Sequence, residues 1–115
     1  MIEIKKDLLI AIKNKDKNSF KKFYDLTVDN IYRVSYNILL NHEDTQEAVQ
    51  NTYIKVFNNI KTFDLNKSFK SWFYKIAINS AIDIYRKRKG YLFGLKNFFM
   101  ERNSPILKKE SDRDR

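Results

Sequence analysis

Two glycines and one proline are all that this chain of 115 residues holds of the two residue types that most often punctuate secondary structure, and all three (Gly90, Gly94 and Pro105) come late. Strand-rich folds turn every few residues and draw on glycine and proline to do so, which leaves this chain little material for a sheet. Long helices joined by short polar breaks are the arrangement that remains. With 43% hydrophobic and 15% aromatic residues there is enough apolar side chain for one packed core, and the length suits a single domain.

The apolar positions recur at helical spacing. Leu8, Leu9, Ala11 and Ile12 predict a short first helix over Asp7 to Lys13, ended by the polar stretch Asn14-Lys15-Asp16-Lys17-Asn18. Asn18 or Ser19 can cap a longer second helix, whose stripe of Phe20, Phe23, Tyr24, Val28, Ile31, Tyr32, Val34, Ser35, Ile38 and Leu39 extends to about Leu40. After Asn41-His42-Glu43-Asp44, a cap at Asp44 or Thr45 opens a third helix with Ala48, Val49, Thr52, Tyr53, Val56 and Ile60 facing inward. Lys61 to Ser68 reads as a loop holding two hydrophobic anchors, Phe63 and Leu65. Ser68 can cap a fourth helix in which Phe69, Trp72, Phe73, Ile76, Ala77, Ala81 and Ile84 keep the period up to Lys89, and Gly90 is placed to stop it. The expected fold is thus all-α: a compact bundle of about four helices over residues 1–90, then a flexible linker and tail over 91–115. Charge alternates without an apolar face from Lys108 to Arg115, which predicts disorder there.

Several functions are disfavoured at once. No cysteine is present and His42 is the single histidine, so disulfides, thiolate metal sites and histidine clusters are not expected, nor is any cofactor. No nucleophile–base pair, Gly-rich phosphate loop or carboxylate pair stands at a spacing that supports chemistry, and an enzyme is not expected. No apolar run reaches the roughly 20 residues of a membrane span, and Met1 to Ile12 lacks a small-residue cleavage site, so the expected location is cytoplasmic. Lys and Arg outnumber Asp and Glu by 23 to 14, a net charge of +9, which suits a polyanionic partner.

Three groups of residues stand out. Asn79, Asp83, Arg86 and Lys87 follow at steps of three or four on the fourth helix and share a side, and Arg86-Lys87-Arg88-Lys89 adds a cationic end that can neutralise phosphates. The plainer alternative is a solvated face on which Asp83 pairs with Arg86 or Lys87. Just before it, Lys70, Trp72, Phe73, Tyr74 and Lys75 interleave rings with amines, as unpaired bases require; Phe73 reads as core, Trp72 and Tyr74 as partly exposed. On the third helix, Glu47, Gln50, Asn51, Ile54 and Asn58 oppose the inward face, either as a protein-binding patch or as an ordinary solvated surface.

The order of these residues resembles region 2 of the extracytoplasmic-function (ECF) sigma factors from about Asn18 to Lys89. On the fourth helix Phe69, Trp72, Phe73, Ile76, Ala77, Asn79, Asp83 and Arg86-Lys87 are similar to the family's aromatic, Trp-Leu, Ile-Ala, Asn, Asp and Arg-Lys pattern, with Phe73 where Leu is usual. On the third, Asp44, Thr45, Gln46, Glu47, Gln50, Asn51 and Tyr53 follow the family's acidic and aromatic pattern, with Gln46 and Asn51 in place of carboxylates. The resemblance implies that Glu47, Gln50, Asn51 and Ile54 dock on the clamp coiled coil of the largest subunit of core RNA polymerase. It implies a second contact, with promoter DNA and its non-template strand in particular: Thr62, Phe63, Asp64, Lys67, Phe69, Lys70, Trp72 and Lys75 around a base flipped from the minus-ten element, and Asn79, Asp83, Arg86 and Lys87 on the adjoining DNA. An anti-sigma factor is a further implied partner. A complete factor of this type also carries a helix-turn-helix domain, and no such segment is expected after Ser104. Two other readings stay open from the residues alone: a nonspecific helical nucleic-acid binder driven by the Arg86 to Lys89 cluster, and a domain that binds protein only.

Overall fold

The three polar breaks that precede residue 70 become the boundaries between four helices. The computed structural model describes residues 3–103, with side chains over 3–98. Among the described residues there is no strand; the elements are α1 (Lys6–Lys13), α2 (Lys17–Leu39), α3 (His42–Asn59), a 3-10 turn (Ile60–Thr62) and α4 (Phe69–Asn103). The all-α bundle expected from the sequence is the fold found. The chain divides into two units, Met1–Ile84 and Tyr85–Arg115. The first contains α1, α2, α3 and the opening of α4; the second contains the continuing helix from Tyr85.

Two caps fall earlier than expected. Asp16, not Asn18 or Ser19, starts α2, its carboxylate accepting from the Ser19 backbone N–H. Asn41, not Asp44 or Thr45, starts α3, with its side-chain oxygen 2.9 Å from the Asp44 N–H. In both cases the side chain three residues ahead of a free N–H is the one in geometry to satisfy it, and the candidates chosen from the apolar period lie one turn too deep. Ser68 does cap α4 as expected, accepting from the Ser71 N–H at 3.2 Å. The stop expected at Gly90 is absent, since α4 continues to Asn103. Glycine costs a helix about 1 kcal/mol relative to alanine, which good formers on either side can offset, and Gly90 does not adopt positive φ. The disorder expected from Lys108 to Arg115 lies outside the described residues.

The core forms where α2, α3 and the start of α4 meet. Phe23 and Phe73 are fully buried with ring centroids 5.0 Å apart, and Phe23 also packs edge-on against Tyr53 and Phe69. All six inward positions expected on α3 and its end (Ala48, Val49, Thr52, Tyr53, Val56 and Ile60) are buried. Two buried threonines of this core are satisfied: Thr27 Oγ1 donates to the Phe23 carbonyl at 2.8 Å and lies 2.6 Å from the Tyr53 hydroxyl, and Thr52 donates to the Ala48 carbonyl, whereas the buried Ser35 hydroxyl on α2 meets no partner. Burial pushes the Tyr53 hydroxyl well above the ordinary tyrosine pKa; its contact with Thr27 pulls the other way but does not win.

The short connection from α2 to α3 depends on Leu40, whose φ of 53° places it in the left-handed region and whose N–H returns to the Tyr36 carbonyl at 2.7 Å. At the other end of α3, two lysines reach across, Lys13 at the end of α1 and Lys15 in the turn that follows it. Lys13 Nζ donates to the carbonyls of Ile60 (3.3 Å), Lys61 (3.1 Å) and Phe63. Lys15 Nζ donates to the Phe57 carbonyl and lies 3.8 Å from the centre of the Phe57 ring. These contacts satisfy carbonyls at a helix C-terminus, where no intrahelical donor exists and positive charge is favoured.

Candidate nucleic-acid interface

The loop between the 3-10 turn and α4 is ordered by its own polar atoms. Thr62 Oγ1 donates to the Asn59 carbonyl (2.9 Å), Asp64 Oδ1 accepts from the Asn66 N–H (2.9 Å), and the Lys67 N–H closes a turn on the Asp64 carbonyl (3.0 Å). Phe63 anchors it below: the residue is buried, with its ring 5.0 Å from Trp72 and 5.5 Å from Phe69. Leu65, the second expected anchor, is partly buried against the same core.

Above that aromatic floor lies a pocket of about 390 Å³ lined by Thr62, Phe63, Asp64, Lys67, Ser68, Ser71, Trp72 and Lys75. Six of the residues singled out in the sequence therefore line one cavity, although they span two elements and a loop. Its chemistry is mixed in a useful way. Trp72 is half-buried and supplies an aromatic surface; the Thr62 hydroxyl and the Asp64 carboxylate offer acceptors; Lys67 and Lys75 are exposed cations. Ser68 and Ser71 were not among the expected site residues. In the sequence Ser68 carries a capping signal alone, and Ser71 carries none.

The other candidates are placed differently. Phe69 is buried, its ring 5.7 Å from Trp72 and 5.6 Å from Phe23, so it supports the pocket floor from beneath. Lys70 lines a neighbouring cavity of about 520 Å³ with Glu3, Ile4, Leu9, Lys67, Ser68 and Phe69. Phe73 is core, and Trp72 and Tyr74 are partly exposed, as the spacing suggested. Asn79 and Asp83 are exposed on α4, and Asp83 pairs with Lys55 of α3, not with Arg86 or Lys87. Arg86 and Lys87 are exposed on the second unit. On α3, Glu47, Gln50 and Ile54 are exposed and Asn51 is half-buried; Ile54, at 57% exposure, is an apolar side chain without cover on an otherwise polar face.

The loop-and-helix pocket of this bundle brings together rings, acceptors and amines, groups that can stack on and pair with the parts of a single-stranded nucleic acid. Residues 23–91 match the Sigma-70 region 2 family, and the chain belongs to that family. It is 36% identical over 78 residues to the ECF RNA polymerase sigma factor SigW of Bacillus subtilis (strain 168), covering 68% of this chain and 42% of the relative. With RNA polymerase sigma factor SigV of the same organism it shares 36% identity over 58 residues, covering 50% of this chain and 35% of that one. The chain thus spans less than half the length of these relatives. Its fold is similar to that of an engineered region 2 of sigmaE, solved by NMR in complex with GTAAAA, with a TM-score of 0.61 and 24% identity over 87% of this chain and 99% of the other. None of the helices among the described residues is long and apolar enough to cross a membrane.

Proposed function

We propose that this chain acts in transcription initiation as the promoter-opening part of an ECF-type sigma factor, binding core RNA polymerase through α3 and holding an unpaired base of the minus-ten element in the Thr62–Trp72 pocket. The observation that carries the reading is the pocket itself, where Trp72 offers a stacking surface, Thr62 and Asp64 offer acceptors for the amino or imino hydrogens of a base edge, and Lys67 and Lys75 stand ready for the flanking phosphates. The similar sigmaE region 2, solved with GTAAAA, supports a short single strand as the ligand class. Asn79, Asp83, Arg86 and Lys87 extend the contact along the DNA, and Glu47, Gln50, Asn51 and Ile54 form the surface for the clamp coiled coil of the largest polymerase subunit. An anti-sigma factor that covers either surface silences the chain. The site of action is wherever the polymerase is, in the cytoplasm.

Magnitudes fix the division of labour. Extracting a base from a duplex costs a few kcal/mol, and stacking it on an aromatic side chain returns about 1–3 kcal/mol. One pocket therefore offsets the opening of about one base pair and does not open a bubble alone, so core polymerase must add the rest. No covalent step is involved, and binding energy drives the change.

The test is fluorescence-anisotropy binding of the chain, with and without core RNA polymerase, to a pool of single-stranded oligonucleotides. Core enzyme is expected to confer sequence-selective binding that Asn79→Ala relaxes and that Arg86→Ala weakens across all sequences. Failure to associate with core, together with equal binding of every oligonucleotide, would leave a nonspecific binder as the better account.

A further inference from the structure

We infer that Lys13, on a helix outside the matched residues 23–91, is a positioning residue that sets the shape of the pocket and hence its ability to hold a base; this rests on the base-capture reading above. The Lys13 ammonium has three donors and meets three carbonyls, those of Ile60, Lys61 and Phe63. These carbonyls bracket Thr62, and the last of them immediately precedes Asp64, so one side chain fixes the backbone that carries both acceptors of the pocket. Phe63 and Leu65 add apolar packing on the core, but no other polar contact of the loop duplicates this hold. Its other bonds are short-range: Thr62 to Asn59, Phe63 to Ile60, and Asn66 and Lys67 to Asp64. They shape the turn and join it to the end of α3 beside it in sequence, without reaching α1.

Two features make the contact more than general adhesion between helices. Hydrophobic packing of α1 is already supplied by Leu9 and Ile12, both buried. Lys15 separately satisfies the Phe57 carbonyl one turn back, away from the pocket. Lys13 is thus the α1 side chain whose polar contacts end on the pocket's own segment. Its removal leaves three part-exposed carbonyls to find water, which lets Thr62 and Asp64 drift from the geometry a base edge requires. Lys67, Lys75 and the cations further along α4 are untouched, so phosphate contacts remain.

The consequence is a split between two measurable quantities. The first is the preference for an intact strand over the same strand with one base removed at the captured position; the second is the dependence of binding on salt, which counts phosphates neutralised. With core polymerase and the tightest strand selected from the random pool, wild type is expected to prefer the intact strand by about tenfold or more, the worth of one stacked base. Lys13→Met is expected to reduce that preference to about two- to threefold with an unchanged salt slope, and Lys13→Arg to restore most of it, because guanidinium keeps several donors. Tyr53→Phe serves as a control that loosens the core but leaves the loop contacts in place, and its preference should match wild type. Where Lys13→Met does not fold, Lys13→Gln, which keeps a donor for fewer carbonyls, reads the same ratio. An undiminished preference in the folded Lys13 variant overturns the positioning role and leaves base capture standing. A wild-type preference near one at every position overturns base capture and the positioning role with it.

Discussion

The ammonium of Lys55 on α3 stands 3.8 Å from the carboxylate of Asp83 on α4 and 3.1 Å from the Ser80 hydroxyl. Sequence spacing offered Asp83 partners on its own helix; the partner is across the helix pair. Both side chains are substantially exposed, 45% and 67%, so the pair adds little to stability. On the proposed reading, in which DNA runs along α4, its effect is on the surface potential, because a bare carboxylate there would repel phosphate.

Lys55→Met is therefore expected to weaken single-strand binding about three- to fivefold at low salt, in line with roughly 1 kcal/mol for unit charges near 4 Å in water, while unfolding free energy changes by less than about 0.5 kcal/mol. Asp83→Asn in the same chain should recover most of the lost affinity unless Asp83 itself reads a base. Anisotropy titrations of the two variants and their combination measure this coupling.

Tyr53 predicts a pH dependence. Its folded pKa is raised by burial, so above about pH 10 the unfolded chain releases this proton while the folded chain retains it. The stability it contributes is complete below that pH and falls as pH rises further. Tyr53→Phe should cost about 1 kcal/mol at neutral pH through the lost contact with Thr27, and the gap between variant and wild type should narrow above about pH 10. Denaturant unfolding at both pH values checks the sign.

Leu40 holds a left-handed conformation and is 72% exposed, so it bears the steric cost of that backbone with little burial in return. Leu40→Gly is expected to stabilise the chain by about 0.5–1 kcal/mol, since glycine adopts this geometry freely. A lower melting temperature for Leu40→Gly would mean that the Leu40 side chain makes contacts worth more than the strain.

Local periodicity governs what is legible in this sequence. The six inward positions on α3, the Ser68 cap, the burial of Phe73 and the partial exposure of Trp72 follow from spacing and residue type, because a helix commits each side chain to a face. Thr27 escaped notice in the α2 stripe because a threonine buries well only once Phe23 and Tyr53 give its hydroxyl partners, which is a tertiary fact. The continuation through Gly90 is not legible in the sequence, because a glycine there suggests a stop while its propensity cost of about 1 kcal/mol ends no helix by itself. Lys13, Lys15 and Lys55 carried no signal at all. A lysine stem is long enough to reach another element, and nothing in its sequence neighbours says which carbonyl or carboxylate it will find. The pocket lay between these extremes: its residue types were readable, but their convergence depended on the 3-10 turn and the Asp64 turn that fold Thr62 back toward Trp72.

The central claim is that an unpaired base occupies the pocket beside Trp72, and a double-mutant cycle tests it most directly. Wild type and Trp72→Ala, each with core RNA polymerase, are titrated with the selected strand and with its singly abasic versions. The account predicts one position at which loss of the base costs wild type about 1–3 kcal/mol and costs Trp72→Ala nearly nothing, the signature of a direct contact between that base and that ring. Equal abasic penalties in the two proteins at every position would contradict it and move the base-reading surface elsewhere on the chain.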